Sequence, residues 1–174
     1  MPLFGDRRKQ LVFIDSANFD RAARVLNINI DYQLLKSELI GTDSAEINFY
    51  IGTDDELFPR QKAFLHSLEQ KGFNIIRRTV QRHSDNTIKA NLDVEIAADW
   101  TRMVLSNEYS SATLVSGDGD FLPLIGDARQ AGIHVTVVGL EAKTNRALRE
   151  AADAYINLRE IKDRVNRTGY GLAA

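Results

Sequence analysis

The chain has 174 residues, a length typical of one folded domain, and 44% of them are hydrophobic, which excludes a disordered or fibrous protein. Its 22 basic and 24 acidic side chains give a formal net charge of −2, so a polyanionic partner would have to meet a local basic patch. The absence of cysteine excludes disulfides, thiolate metal sites and cysteine nucleophiles, and the three histidines at 66, 83 and 134 lack the spacing of zinc ligands.

Short apolar, β-branched segments alternate with longer segments of helical periodicity, which is typical of a parallel sheet with crossover helices. The predicted strands are Leu11–Asp15, Ile47–Ile51, Phe73–Thr79, Ala112–Ser116, His134–Val138 and a short sixth at Tyr155–Leu158. The predicted helices are Asn18–Leu26, Tyr32–Ile40, Leu57–Lys71, Lys89–Ser106, Phe121–Ala131 and Asn145–Ala152, with a helical tail over Glu160–Arg167. Gly41, Gly72 and Gly132 each follow a helical pattern and are predicted as left-handed C-caps.

The sequence predicts one domain, without internal repeats or low-complexity linkers. We expect residues 1–9 to be a flexible leader, 10–158 the domain, and 159–174 a helical extension with a frayed tail. No segment approaches the roughly 18 apolar residues of a membrane span, and no signal-peptide core is present, so we expect a cytoplasmic protein with no membrane partner. An open edge strand would allow a homo-oligomer, although no apolar stripe indicates one.

The first predicted strand ends in Asp15, followed by Ser16, Ala17 and Asn18. Ligands of open α/β sheets bind beyond the carboxyl ends of the strands, where a charge must be solvated, paired or metal-bound. Asp15 therefore has two interpretations, a helix cap or a functional carboxylate, and the sequence favours neither. For Asn18, a helix cap is favoured over membership of a polar site.

The fourth predicted strand ends at the same edge in Ser116-Gly117-Asp118-Gly119-Asp120. Two carboxylates beside glycines converge on a backbone that can take unusual torsions, and their repulsion is costly without a cation. Asp120 has an alternative role as the N-cap of the next helix, where Pro123 is tolerated in the first turn. Asp118 has no such alternative and is interpreted as functional.

Two further acids lie on the fourth predicted helix. Asp93 shares a face with Trp100 and Val104, which predicts that it points into the protein or a cleft. Interaction with the helix dipole explains an exposed acid better than one on this face, so a functional role is favoured. Asp99 lies on a neighbouring stripe, and a buried hydrogen bond to a nearby loop is favoured over a role in the site.

Three or four convergent carboxylates without histidine or cysteine match the oxygen coordination of Mg²⁺ or Mn²⁺. Such ions activate water and stabilise charge on a phosphoryl group. Residues 118–123 lack the third ligand and the glycine of an EF-hand loop. Residues 15–17 lack the second aspartate of haloacid dehalogenase phosphatases.

Basic residues are concentrated in the polar linker between the third strand and the Asp93 helix. Arg78, Arg82 and Lys89 would bind the phosphates that flank a scissile bond. The alternative is a solvated loop with charges scattered by chance. No aromatic-rich platform lies nearby in the sequence, so base-specific recognition is not indicated.

Three motifs follow one another along the chain: residues 13–19 (FIDSANF), 89–94 (KANLDV) with Asp99, and 115–121 (VSGDGDF) with Pro123 and Leu124. Together they resemble the motifs of the NYN domain family, in particular those of its LabA-like branch. The resemblance runs from about residue 10 to 158. It implies a PIN-like fold, a three-layer α/β/α sandwich with a central, mostly parallel sheet of five or six strands. It also implies a relationship to metal-dependent nucleases that act on RNA.

The same resemblance implies that one or two Mg²⁺ or Mn²⁺ ions are bound by Asp15, Asp93, Asp118 and Asp120. It implies further that these aspartates form the catalytic site for the hydrolysis of RNA phosphodiester bonds. Asn18 and Asp99 also match family residues. Together with Ser116 of the third motif, they are candidate site residues of second rank, after the four aspartates. Residues 90–92 depart from relatives that often have a glycine and a second basic residue there, which weakens phosphate contacts at this point. The substrate is expected to be single-stranded or structured RNA, and the alternative is a regulatory or RNA-binding protein with little or no turnover.

Overall fold

The computed structural model describes residues 9–41, 43–53, 58–79, 81–82, 88–89 and 92–168, with the side chains of residues 58, 60, 81–82 and 88–89 left out. The strands are β1 (Lys9–Asp15), β2 (Ala45–Thr53), β3 (Phe73–Thr79), β4 (Gln81–Arg82), β5 (Ile88–Lys89), β6 (Tyr109–Val115), β7 (His134–Gly139) and β8 (Ala154–Asn157). The helices are α1 (Ser16–Val25), α2 (Tyr32–Ile40), α3 (Phe58–Gln70), α4 (Leu92–Val104), α5 (Leu122–Gln130), α6 (Arg146–Ala151) and α7 (Leu158–Val165). Most of the predicted leader, residues 1–8, and residues 169–174 of the predicted tail lie outside the described residues.

The central sheet has six strands, all parallel, in the order β3-β2-β1-β6-β7-β8. The chain builds outward from β1 to one edge and then returns to build from β6 to the other. The direction of construction therefore reverses between β1 and β6, and their carboxyl ends flank the crevice in which open α/β sheets bind ligands.

Helices cover both faces of the sheet, because the buried side chains of each strand alternate between them. Val12 and Ile14 of β1 pack with α1, α2, α3 and α7, whereas Leu11 and Phe13 pack with α4, α5 and α6. The indole N–H of Trp100 donates to the carbonyl of Leu124 at 3.1 Å and links α4 to α5. The predicted three-layer sandwich is confirmed. None of the helices in the described segments is long and apolar enough to cross a membrane.

The predicted strands and helices are all present, with a few different ends. The fourth predicted helix begins at Leu92 rather than Lys89, because residues 88–89 pair antiparallel with residues 81–82. The segment predicted as a polar linker thus contains a small two-stranded ladder. The predicted left-handed caps are confirmed at Gly72 and Gly132, with φ of +86° and +77°.

Candidate functional site

Asp15 is the last residue of β1, at the topological switch point, and its side chain is 6% exposed. Oδ1 accepts the backbone N–H of Asn18 at 3.1 Å, and Oδ2 accepts the hydroxyl of Ser116 at 3.0 Å. Asp15 is therefore the N-cap of α1, so the capping interpretation is correct. Each carboxylate oxygen retains a second lone pair, so capping leaves Asp15 able to bind a ligand.

Ser116 and Asn18 join the ends of β1 and β6. The Ser116 hydroxyl, which is buried, donates to Asp15 and accepts the backbone N–H of Asp118 at 3.2 Å. Asn18 Oδ1 accepts the backbone N–H of Gly117 at 2.8 Å. The favoured prediction of Asn18 as a helix cap is wrong, because the helix already begins after Asp15 and the Asn18 amide is used between the two strand ends.

Asp118, not Asp120, caps the turn that follows β6. Its Oδ1 accepts the backbone N–H of Asp120 at 3.0 Å at the start of a 3₁₀ turn over Gly119–Phe121. Helix α5 then begins at Leu122, with Pro123 in its first turn and no side-chain cap. The capping alternative for Asp120 is therefore wrong, and Asp118 does have a structural role. Asp118 is half-buried and Asp120 is exposed, so both reach the solvent side of the edge.

Asp93 lies in the first turn of α4, on the opposite face of the sheet from α1, and remains accessible to solvent. Desolvation by the surrounding protein raises its pKa, and the negative charges of Asp15, Asp118 and Asp120 raise it further. Four aspartates from three segments of the chain therefore lie close enough to interact electrostatically.

Burial is the main cause that raises the pKa of Asp15, and the charge of Asp118 adds to it. The hydrogen bonds from Asn18 and Ser116 and the positive charge of Arg21 act in the opposite direction. Arg21 lowers the pKa of Asp93 as well. Sequence reasoning missed Arg21; the available signal was its position one helical turn after Asn18.

The segment after β7 packs against the loop that carries Asp118 and Asp120. The backbone N–H of Asn145 donates to the carbonyl of Gly117 at 2.9 Å. A Cβ on Gly117 would lie 2.5 Å from the carbonyl oxygen of Lys143, and one on Gly119 would lie 2.6 Å from Asn145 Nδ2. Neither glycine has a positive φ, so close packing rather than the expected unusual torsion accounts for both. The contribution of Asn145 was not predicted, although an asparagine before a helical segment is a cap signal.

Two of the residues selected from the sequence have partners elsewhere. Asp99 accepts hydrogen bonds from the Tyr50 hydroxyl and from Arg102, each at 2.9 Å, so its partner is a strand tyrosine rather than the predicted loop. Arg78 forms an ion pair with Glu95 at 2.9 Å. The predicted phosphate contacts of Arg82 and Lys89 fall on side chains outside the described residues.

The donor chemistry of the four aspartates fits a divalent cation, because each supplies carboxylate oxygens and their mutual repulsion would be relieved by positive charge. Within the described ranges, however, no group of three or more acidic, histidine or cysteine side chains is gathered as a ready metal site. The acids share one electrostatic environment without converging on one point.

Comparisons with known proteins place this chain in a family. The NYN domain family model matches residues 9–159. Over 114 residues the chain is 32% identical to the low amplitude and bright protein LabA of Synechococcus elongatus, a match that covers 62% of this chain and 60% of the relative. Over 70 residues it is 37% identical to an uncharacterized protein of Methanocaldococcus jannaschii, covering 40% of this chain and 29% of that protein. The matches thus span 60% or less of the curated relatives' lengths.

The fold also occurs in a crystal structure of a protein of unknown function from Vibrio parahaemolyticus. The two structures superpose with a TM-score of 0.79 at 24% identity, covering 94% of this chain and 99% of the other, which shows a shared fold. Since the family model extends from β1 into α7, the chain belongs to the NYN domain family, and the similarity to LabA over 114 residues agrees with this.

Proposed function

We propose that this protein is a divalent-metal-dependent endoribonuclease whose site consists of Asp15, Asp93, Asp118 and Asp120. The observation that carries the proposal is that these acids, from β1, α4 and the loop after β6, share one electrostatic environment beside the switch point of the sheet. Membership of the NYN family supports a nuclease or RNA-related role.

Mg²⁺ or Mn²⁺ is the proposed cofactor, held by the four aspartates as one or two ions. When bound, such an ion supplies positive charge to a phosphoryl group and lowers the pKa of water. The side chains of Asp93, Asp118 and Asp120 are accessible to solvent, so an ion from solution can reach them.

The neighbouring polar groups hold the acids in place. Ser116 and the N–H of Asn18 fix both oxygens of Asp15, and the cap formed by Asp118 fixes the start of the next turn. Fixed carboxylates lose little conformational freedom when they bind a ligand, which favours affinity.

RNA, single-stranded or structured, is the proposed substrate. Arg82 and Lys89, which belong to the two-stranded ladder that precedes α4 in the chain, are proposed to bind its phosphates. Arg78 is proposed to join them by releasing Glu95 and binding a phosphate. The exchange costs little free energy because both side chains of the ion pair are partly exposed to solvent.

A regulatory or RNA-binding role with little turnover is the second candidate. It is favoured by one observation, that the described acids are not gathered as a ready metal site.

Cleavage of labelled single-stranded RNA, hairpin RNA and matching DNA, with Mn²⁺, Mg²⁺ or EDTA, separates the two candidates. We compare the wild type with Asp118→Asn and Asp93→Asn, and use Asp163→Asn, an exposed acid on α7, as the matched control. The nuclease is supported by metal-dependent cutting of RNA to 5′-phosphate products that both site variants lose and the control retains.

Thermal unfolding with Mn²⁺ gives the second measurement. Binding at a hundred times the dissociation constant stabilises the native state by about 2.7 kcal/mol. The regulatory role is favoured if Mn²⁺ raises the Tm of the wild type but not that of Asp118→Asn, and no substrate is cut. If Mn²⁺ causes neither RNA cutting nor a change in Tm, the metal-dependent site is refuted.

A further inference from the structure

We propose that Arg21 is a phosphate-binding residue of this site and contacts the nucleic-acid backbone next to the four aspartates. The inference deepens the proposed function and rests on it for the class of ligand, a phosphodiester. Arg21 lies outside the three sequence motifs, and its placement in the structure carries the argument.

The first step is the geometry of α1. The helix begins after Asp15, and Asn18 in its first turn faces the end of β6, where its amide accepts the N–H of Gly117 at 2.8 Å. Residues three apart on a helix lie on the same side, so Arg21 follows Asn18 on the side that faces the switch point. The Arg21 side chain is exposed and accessible to a ligand.

The second step is electrostatic. The charge of Arg21 acts on both Asp15 and Asp93, although α1 and α4 pack on opposite faces of the sheet. A cation that interacts with both acids lies at the edge where the two faces meet. This is the edge at which a nucleic-acid strand would have to lie in order to reach the aspartates.

The third step is that Arg21 forms no ion pair with another described residue. Six described arginines have a carboxylate partner within 4 Å, namely Arg78, Arg102, Arg129, Arg146, Arg149 and Arg164, whereas Arg21 and the control residue Arg24 are not among them. A guanidinium that faces an acidic site without a direct carboxylate partner keeps its donors available for an anionic ligand.

The fourth step is chemical. A phosphodiester is repelled by four aspartates, and a neighbouring cation offsets that repulsion. Arginine suits the task because its planar fork can donate two parallel hydrogen bonds to phosphate oxygens and remains charged at all working pH values.

The test compares Arg21→Gln and Arg21→Lys with the matched control Arg24→Gln. Arg24 lies on the same helix, is exposed, and its charge acts on Asp20 instead of the site acids. Binding of labelled single-stranded RNA is measured by fluorescence anisotropy in EDTA, where no metal-dependent cutting occurs, over a range of salt concentrations.

We expect Arg21→Gln to weaken binding roughly tenfold and to reduce the slope of log K against log salt by about 0.7, the value for one contact to a single strand. Arg21→Lys should keep the slope and lose part of the affinity, since the charge remains and the fork is lost. Arg24→Gln should match the wild type.

The inference is overturned if Arg21→Gln, shown by circular dichroism to be folded, binds with wild-type affinity and slope, or if Arg24→Gln has the same effect. Wild-type protein that binds no RNA also overturns it. Failure of the proposed function gives a different result: RNA binding that depends on Arg21, without cleavage in Mn²⁺ or Mg²⁺.

Discussion

Asp15 and Ser116 lie 101 positions apart in the chain and are joined by a buried hydrogen bond of 3.0 Å. The same hydroxyl accepts the N–H of Asp118, so one serine sets the position of one candidate acid and the backbone of another. Beyond the backbone pairing of β1 with β6, this serine and the Asn18 amide, which accepts the N–H of Gly117, therefore join the two strand ends.

Ser116→Ala should destabilise the fold at neutral pH. The substitution removes a donor to a buried carboxylate and an acceptor for the Asp118 N–H, and unsatisfied buried polar groups cost about 1–3 kcal/mol each. Urea unfolding measures the loss. In an Asp15→Asn background the penalty should be smaller, because the buried group is then uncharged; an equal penalty in both backgrounds would contradict the role assigned to this hydrogen bond.

Asp15→Asn should raise the stability of the protein at neutral pH while it abolishes metal-dependent activity. Burial raises the pKa of Asp15, so ionised Asp15 destabilises the folded state, and its neutral isostere avoids that cost. A gain of about 1 kcal/mol corresponds to a Tm increase of roughly 2–4 °C for a domain of this size.

The pH dependence of that gain has a defined sign. With a folded-state pKa above the unfolded value of 3.8, the folded protein binds the proton more tightly, and wild-type stability falls as pH rises between the two values. The advantage of Asp15→Asn should be complete above the folded-state pKa and should shrink as pH falls toward 3.8. An advantage independent of pH would show that desolvation of the carboxylate is not the cause.

Gly117→Ala should destabilise the protein by about 1–3 kcal/mol, because its Cβ would lie 2.5 Å from the backbone oxygen of Lys143. The resulting shift of the loop displaces Asp118, and a displacement near 1 Å can reduce catalysis about a hundredfold. Gly126→Ala in α5 is the matched control, since its Cβ meets nothing within 4 Å and alanine stabilises a helix interior by about 0.4–1 kcal/mol. Unfolding and cleavage assays on both variants check the prediction.

Tyr50→Phe should cost about 1–3 kcal/mol of stability, because it removes the hydroxyl that donates to Asp99 from a buried strand residue. Asp99→Asn retains an acceptor for that hydroxyl and should leave the Mn²⁺-dependent rise in Tm unchanged, in contrast to Asp118→Asn. Loss of that rise in Asp99→Asn would place Asp99 in the metal site.

The fold was predictable because its signals are local. The buried run before Asp15 and the β-branched run before Ser116 identify the two central strands, and glycines such as Gly72 mark helix ends. The start of the Asp93 helix was predicted three residues too early, because the antiparallel pairing of residues 81–82 with 88–89 depends on a contact that periodicity does not contain.

The placement of Asp15 and Asp118 at the ends of neighbouring strands could be predicted from the sequence, whereas the hydrogen-bond partners of these acids could not. Aspartates at the ends of adjacent parallel strands follow from the sheet rule, but the choice between Asp118 and Asp120 as the cap depends on backbone geometry within one turn. The contact of Asn18 with Gly117 and the reach of Arg21 toward α4 depend on packing between distant segments, so the sequence pattern could not supply them.

The strand order has a consequence for synthesis. During translation, a chain that has emerged as far as residue 79 holds β1, β2 and β3, which are neighbours in the sheet, but it contains one of the four aspartates. A domain generally folds as a unit once the ribosome has delivered its parts. The strand that completes the acidic edge, β6, takes its place beside β1 only after Asp93 has been made, so the four aspartates cannot come together until the second half of the sheet is in place.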